Sequence, residues 1–214
     1  KMNRTEDPEE KIVVAARRVF VEKGYENASM SDIAVAAGIN RTALHYYFRT
    51  KDKIFQAVFG SLIGPFIPKV QDILHSDAPF FDKMDRLIDE YFEVFSQNPF
   101  LPRFVMNESG RDVRHLVEVA ESIGFRTYIS TLVELLETEM AAGRIRRLPV
   151  HVVFLTFIGQ VMFPFLSRNL ICLILEIDSD RGAFEDILTE CKRTVSCQMR
   201  LLLDKDSPLV VPGV

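Results

Sequence analysis

The chain has 214 residues, is 48% hydrophobic and 26% charged, and carries a net charge of −4. That is enough chain to bury a sizeable core in one or two domains, and the composition excludes collagen-like, low-complexity and disordered proteins. Cys172, Cys191 and Cys197 lack metal-ligand spacing, and so sparse and odd a set fits a reducing cytoplasm better than a disulfide framework. The charged start, KMNRTEDPEEK, does not read as a signal peptide.

Pro8 to Lys23 is expected to form the first helix, with Ile12, Ala15, Ala16, Val19 and Phe20 at helical spacing and Gly24 closing it. Phe20 belongs in a core, and Tyr25 is expected to pack between helices. The next stretch, SMSDIAVAAGINRTALHYYFRTKDK from Ser29 to Lys53, reads as two short helices, a tight turn and the start of another helix. Ser29 and Asp32 have capping-box spacing. Gly38 suits the left-handed position that ends the first helix, and Asn40 caps the second, Arg41 to Phe48. Leu44 and Phe48 lie one turn apart and face inward, which leaves Arg41, Thr42, His45, Tyr46 and Tyr47 outward. Two helices about a glycine turn, the second exposing such side chains, describe a helix-turn-helix.

Charge supports this reading. Residues 1–53 hold ten Lys and Arg against eight Asp and Glu, whereas the remainder holds 16 against 22. Positive charge is thus concentrated beside the reading helix, where DNA would require it.

Thr50 caps a helix from Lys51 that continues to about His75, kinked or interrupted by Pro65 and Pro68. Phe80–Gln97 carries an apolar stripe of Phe80, Met84, Leu87, Ile88, Tyr91 and Phe95 and is broken at Asn98-Pro99. A short segment, Phe100 to Ser109, ends at Gly110. Asp112 to Ala142 is expected to be one long helix, ended by Gly143. Leu148 to Ser167 is uncharged and as long as a membrane span, but Pro149, His151, Gln160 and Pro164 interrupt it and no aromatic belt flanks it. It is expected to be a helix buried in protein on most sides, with no membrane partner. Arg181–Leu203 is a final amphipathic helix, and the tail after Asp206 is expected to fray. With no strand alternation, the fold class is all-α: residues 1–53 a DNA-binding domain and 54–214 a larger helical body.

The segment from Glu9 to Phe59 resembles the N-terminal domain of the tetracycline-repressor (TetR) family of bacterial transcription regulators. The resemblance rests on F-x-x-x-G-Y (Phe20–Tyr25), D-I-A-x-A-A-G-I (Asp32–Ile39) and L-x-Y-Y-F-x-x-K (Leu44–Lys51). His45 stands where many members have tyrosine, so base preference does not transfer from a relative. The resemblance implies a repressor bound to a palindromic double-stranded operator. Arg41, Thr42, His45 and Tyr46 are expected at base edges, Tyr47 and Lys51 at phosphates, and Ser29 and Ser31 as helpers. It also implies a homodimer formed by residues 149–168 and 183–203, and a body pocket for a small, largely apolar effector. Tyr91, Phe95, Phe104, Asn107, Phe125, Tyr128, Phe157 and Gln160 are the candidates to line that pocket.

No phosphate loop, H-E-x-x-H or G-x-S-x-G occurs, and the four histidines are dispersed; no cofactor or metal is expected. Asp72-x-x-His75 and Asp112-x-x-His115 have a spacing that can chelate, but without the glutamates of a di-iron bundle. Two other readings stay open: a helical enzyme or carrier in which the hairpin is only structural, and a membrane-associated adaptor using the Leu148 segment.

Overall fold

The computed structural model describes residues 7–177 and 181–208. Among them are ten helices and no strand, as an all-α chain requires. They form two compact units: one is the chain up to Pro65 together with Arg103–Gly124, the other Phe66–Pro102 together with the chain from Phe125 onward. This division differs from the expected one at residue 53.

In the first unit, α1 (Pro8–Asn27) begins where Asp7 accepts the Glu9 N–H at 3.0 Å. Gly24, expected to end this helix, instead kinks it at φ +73°, and a last turn continues to Asn27. At the start of α2 (Met30–Ala36), Ser29 and Asp32 cap each other's amides, at 3.1 and 2.9 Å. Its end is a Schellman turn: Gly38, at φ +69°, donates to the Val35 carbonyl and Ile39 to the Ala34 carbonyl. Asn40 then caps α3 (Arg41–Tyr47) through the Ala43 N–H at 2.8 Å, and Thr50 caps α4 (Lys51–Ile63). α1 packs on α2 and on α4, whose Ile54, Phe55 and Val58 are buried. That contact is why α4 belongs to this unit.

The proline-kinked helix expected from Lys51 to His75 is two helices, α4 and α5 (Phe66–His75), with Gly64-Pro65 between them. Pro68 lies in the first turn of α5, where a missing amide hydrogen does no harm. α6 (Phe80–Gln97) has the expected bounds. The single helix expected over Asp112–Ala142 is instead parts of α7 (Leu101–Ser122) and α8 (Phe125–Ala141). Gly124, at φ +84°, separates them, a conformation that other residues adopt at a cost. α7 is itself interrupted at Asp112 (φ −151°, ψ 86°), whose carboxylate accepts the His115 N–H at 3.1 Å and restarts the helix.

The second unit is built on α6, which packs against α5, α9 (Val150–Ile174) and α10 (Arg181–Leu203). Asp85 on α6 binds Arg200 and accepts from Ser196 of α10 at 2.5 Å. Asp89 pairs with Lys192 at 2.8 Å. The tail expected to fray after Asp206 is held at Ser207, whose carbonyl accepts from Arg146 at 2.8 Å; from residue 209 it lies outside the described residues. α9 runs past the expected end at Ser167 and is not buried on most sides. In its most apolar eighteen-residue window only 28% is buried, and Leu155 and Phe163 are 64% and 61% exposed. By length and composition α9 is the one described helix able to cross a membrane. Part of its apolar surface therefore lacks a partner among the described residues.

Gly38 and Gly110 separate backbone strain from crowding. A Cβ on either would meet nothing within 4 Å, but only Gly38 has positive φ. Gly38→Ala should lower stability by about 1–2 kcal/mol, and Gly110→Ala in α7 should raise it by about 0.5–1 kcal/mol. Urea titrations of both variants check this.

Candidate functional site

α3 is held from beneath by Leu44, fully buried, and by Phe48 just beyond its end. Arg41, Thr42, His45, Tyr46 and Tyr47 are all exposed, Tyr46 at 84%, and the two tyrosine rings meet edge to face at 5.2 Å. Ser31 is exposed on α2, and the Ser29 hydroxyl is engaged with Asp32 in the cap. The structure thus gathers seven of the eight expected DNA-facing residues on the open side of α2 and α3. Lys51 is placed differently. Its ammonium donates to the carbonyls of Tyr25 (2.7 Å), Ala28 (2.9 Å) and Glu26 (3.3 Å), so its three hydrogens tie down the end of α1. It also lies 4.3 Å from the Tyr25 ring centroid.

Tyr25 is the centre of a cluster that sequence reading missed. Arg111 of α7 covers its ring at 4.1 Å, donates to Glu108 at 2.7 Å and reaches Glu26 at 3.2 Å. The Tyr25 hydroxyl donates to Asp52 at the start of α4, and burial together with that carboxylate pushes its pKa up. Arg111 also donates to His115 Nδ1 at 3.2 Å; since a guanidinium only donates, the ring's proton is on Nε2, 3.6 Å from Asp52. Asp112 and His115, spaced as a chelating pair, therefore serve as a helix cap and a ring packed on Tyr25 and Phe55. F-x-x-x-G-Y was a signal for the Tyr25 end of this cluster. Nothing local marked its α7 end.

In the second unit a cavity of about 50 Å³ is walled by Leu74 of α5, Met84 and Leu87 of α6, Ile129, Leu132 and Leu136 of α8, Val153, Phe154 and Phe157 of α9, and Met199 of α10. Lys83 is its only charged lining residue, and its ammonium donates to the Leu74 carbonyl at 2.8 Å. Of the eight candidates for an effector pocket, Phe157 borders this cavity. Tyr91 and Tyr128 lie beyond it, hydrogen-bonded to each other at 2.8 Å, with Phe125 against Tyr128 and Phe95 against Tyr91 and Phe165. Gln160 lies instead in a shallow groove between α9 and α10, its Oε1 buried without a partner among the described residues. Phe104 and Asn107 belong to the first unit, Phe104 stacked on Phe55 and Asn107 exposed. The stripes of α6 and α8 were the signal for the missed lining residues, since both carry them at helical spacing.

A capped three-helix head with an outward second helix, together with a helical body enclosing an apolar cavity, defines a helix-turn-helix regulator. Comparison with known proteins makes the family specific. Residues 12–58 match the family model described as "Bacterial regulatory proteins, tetR family", and residues 81–190, just over half of the chain, match "Tetracyclin repressor-like, C-terminal domain". The chain belongs to the TetR family of bacterial transcriptional regulators. It is 32% identical over 132 residues to the HTH-type transcriptional regulator YvdT of Bacillus subtilis, across 62% of this chain and 66% of that one. It is 28% identical over 85 residues to the fatty acid metabolism regulator protein of the same organism, across 40% and 44%. The matched stretches thus span less than two thirds of each of these relatives. Among solved structures, FadR of Bacillus halodurans superposes with a TM-score of 0.66 at 20% identity, over 92% of this chain and 96% of that one. FadR of Bacillus subtilis in complex with stearoyl-CoA gives 0.67 at 20% identity, over 89% and 96%. These two likenesses establish the fold.

Glu108 is only 3% exposed and depends on Arg111 for its charge balance. Arg111→Ala should therefore destabilise the head by about 3 kcal/mol, because it leaves a carboxylate buried and unpaired. Arg111→Met with Glu108→Leu should recover most of that loss, as chemical denaturation of the three proteins will show.

Proposed function

We propose that this chain represses transcription by binding a palindromic operator as a homodimer, and that a small, largely apolar effector releases it. The observation that carries this reading is α3: a buried apolar underside positions it, and Arg41, Thr42, His45 and Tyr46 are exposed on its outside. Those side chains have the chemistry to reach base edges, and Tyr47, with exposed Arg49, that to hold phosphates. Lys51 acts at one remove, by fixing the end of α1 on which the head is folded. Binding in a reducing cytoplasm suits the three free cysteines.

Dimerisation is supported by the uncovered apolar face of α9, where Leu155, Phe163 and Leu170 are exposed, and by the adjoining groove with α10. A second copy would cover that face and set two reading helices about one turn of DNA, ~34–36 Å, apart. The effector site is the apolar cavity, whose lining excludes a strongly polar ligand from its interior. The solved relative that holds stearoyl-CoA is a precedent for apolar ligands on this fold. Enzymatic use of the body finds no support, since Lys83 is the one ionisable side chain in the described cavity lining and its ammonium is bound to the Leu74 carbonyl.

Selection of genomic DNA bound by the purified protein tests the reading directly; failure to enrich any sequence would overturn it. Once an operator is known, Arg41→Ala should weaken its binding by roughly 1–3 kcal/mol and relax the preference at one base pair in each half-site. Mobility-shift titrations against single-base variants measure both effects. Leu155→Glu combined with Phe163→Glu should give a folded monomer by sedimentation, with operator affinity reduced at least tenfold. A double variant that stays dimeric would move the interface elsewhere.

A further inference from the structure

Tyr91 on α6 and Tyr128 on α8 are 6% and 0% exposed, and their hydroxyls face each other at 2.8 Å. Two hydroxyls bring two hydrogens, and the bond between them uses one. Neither oxygen has another partner among the described residues, so one buried O–H is left without a hydrogen-bond acceptor among them. Phe66 and Phe157 stand 4.8 and 5.3 Å from the Tyr91 ring, and ring faces are weak acceptors. Leaving a buried donor without an acceptor is unfavourable, and a ligand atom that accepts from it recovers that loss.

The place of the pair makes this relevant to binding. Phe157 is shared: one side borders the apolar cavity and the other meets Tyr91. Leu87, one turn before Tyr91, and Ile129, next to Tyr128, line the same cavity. At about 50 Å³ the cavity has room inside for only a few water-sized groups, so a larger ligand must displace a wall to be wholly enclosed. The Phe157 wall hides an unsatisfied hydrogen-bond donor.

We infer that the Tyr91–Tyr128 pair is the polar recognition point of the effector site, and that it selects an apolar molecule bearing one neutral acceptor, such as a ketone, ester or thioester carbonyl. This rests on the proposal that the body binds an effector in this cavity. Neutrality follows from the surroundings. Burial pushes the Tyr91 hydroxyl up to about 12 and Tyr128 upward as well, and no charged side chain acts on either. A carboxylate brought here would lose its hydration with no cation to meet it. Lys83, lining the same cavity, is where an anion would go instead.

Three probes of similar size separate these ends: acetophenone, ethylbenzene and benzoate, titrated by NMR into the full chain. Acetophenone should bind about 3- to 10-fold more tightly than ethylbenzene, the advantage of one hydrogen bond. The double variant Tyr91→Phe/Tyr128→Phe keeps the shape of the core and removes both hydroxyls together, so it should fold and bind the two probes equally. The infrared carbonyl band of bound acetophenone should lie lower in the wild type than in this variant. Equal binding of the two by the wild type, or a preference that survives the double variant, overturns the inference and leaves the effector cavity standing. Benzoate binding best, with that advantage lost in Lys83→Met, overturns it in favour of the Lys83 end. Binding of none of the three overturns it together with the placement of the effector site.

Discussion

The reading head exists as a folded object because Phe55 is buried. Three short helices enclose too little apolar surface to stand alone, and small domains are marginal for that reason. Phe55, on α4, is fully buried with Phe20 and Tyr25 of α1 on one side and Phe104 and His115 of α7 on another, all with ring centroids within 6 Å. Contacts of this kind contribute roughly 0.5–1.5 kcal/mol each beyond the area they bury. They draw α4 and a distant segment of chain into the head. The orientation of α3 is inherited from this core through α1 and α2, since α3 itself buries little more than Leu44.

Charge in the head follows from the same packing. Counted along the sequence, Arg41, Arg49, Lys51 and Lys53 form one basic group beside the reading helix. In the fold Lys51 spends its three hydrogens on carbonyls at the end of α1, and Lys53 donates to Gln56 at 3.2 Å. Arg111, far away in sequence, is turned onto Tyr25, Glu108 and Glu26. Part of the positive charge therefore stabilises the head, and the remainder, on Arg41 and Arg49, is left exposed. A lysine that tethers three carbonyls and a lysine that tethers a phosphate have the same one-letter code and the same helix position.

What was legible in the sequence was local. Ser29, Asp32, Gly38 and Asn40 act through backbone bonds within a few residues, so the turn between α2 and α3 and its outward face could be read directly. The family resemblance rested on the same residues. What was not legible depended on contacts between distant segments. Gly124 lies inside the stretch expected as one helix, because the apolar positions on either side keep helical spacing; only its positive φ reveals the break between α7 and α8. Phe104 and Asn107 were placed in the body, although tertiary contacts put their segment with the head. The uncharged run of α9 suggests a helix buried on most sides, yet an apolar helix left largely exposed has the same composition as one buried in its own chain.

An effector in the body can alter DNA binding only by discriminating between states of the whole protein. Equal affinity for the DNA-binding and the released arrangement would shift nothing, however tight the binding. The body offers a physical basis for such discrimination in its small volume. With about 50 Å³ inside it, the cavity can enclose a sizeable ligand only by moving its walls. The chain passes between the two units at Pro65-Phe66, Pro102-Arg103 and Gly124-Phe125. If an effector weakens operator binding, linkage requires the operator to weaken effector binding by the same factor, typically 5- to 150-fold for couplings of about 1–3 kcal/mol. The strength of any such switch is bounded by the difference in a ligand's affinity for the two arrangements, and a ligand that fitted both equally well would bind without regulating.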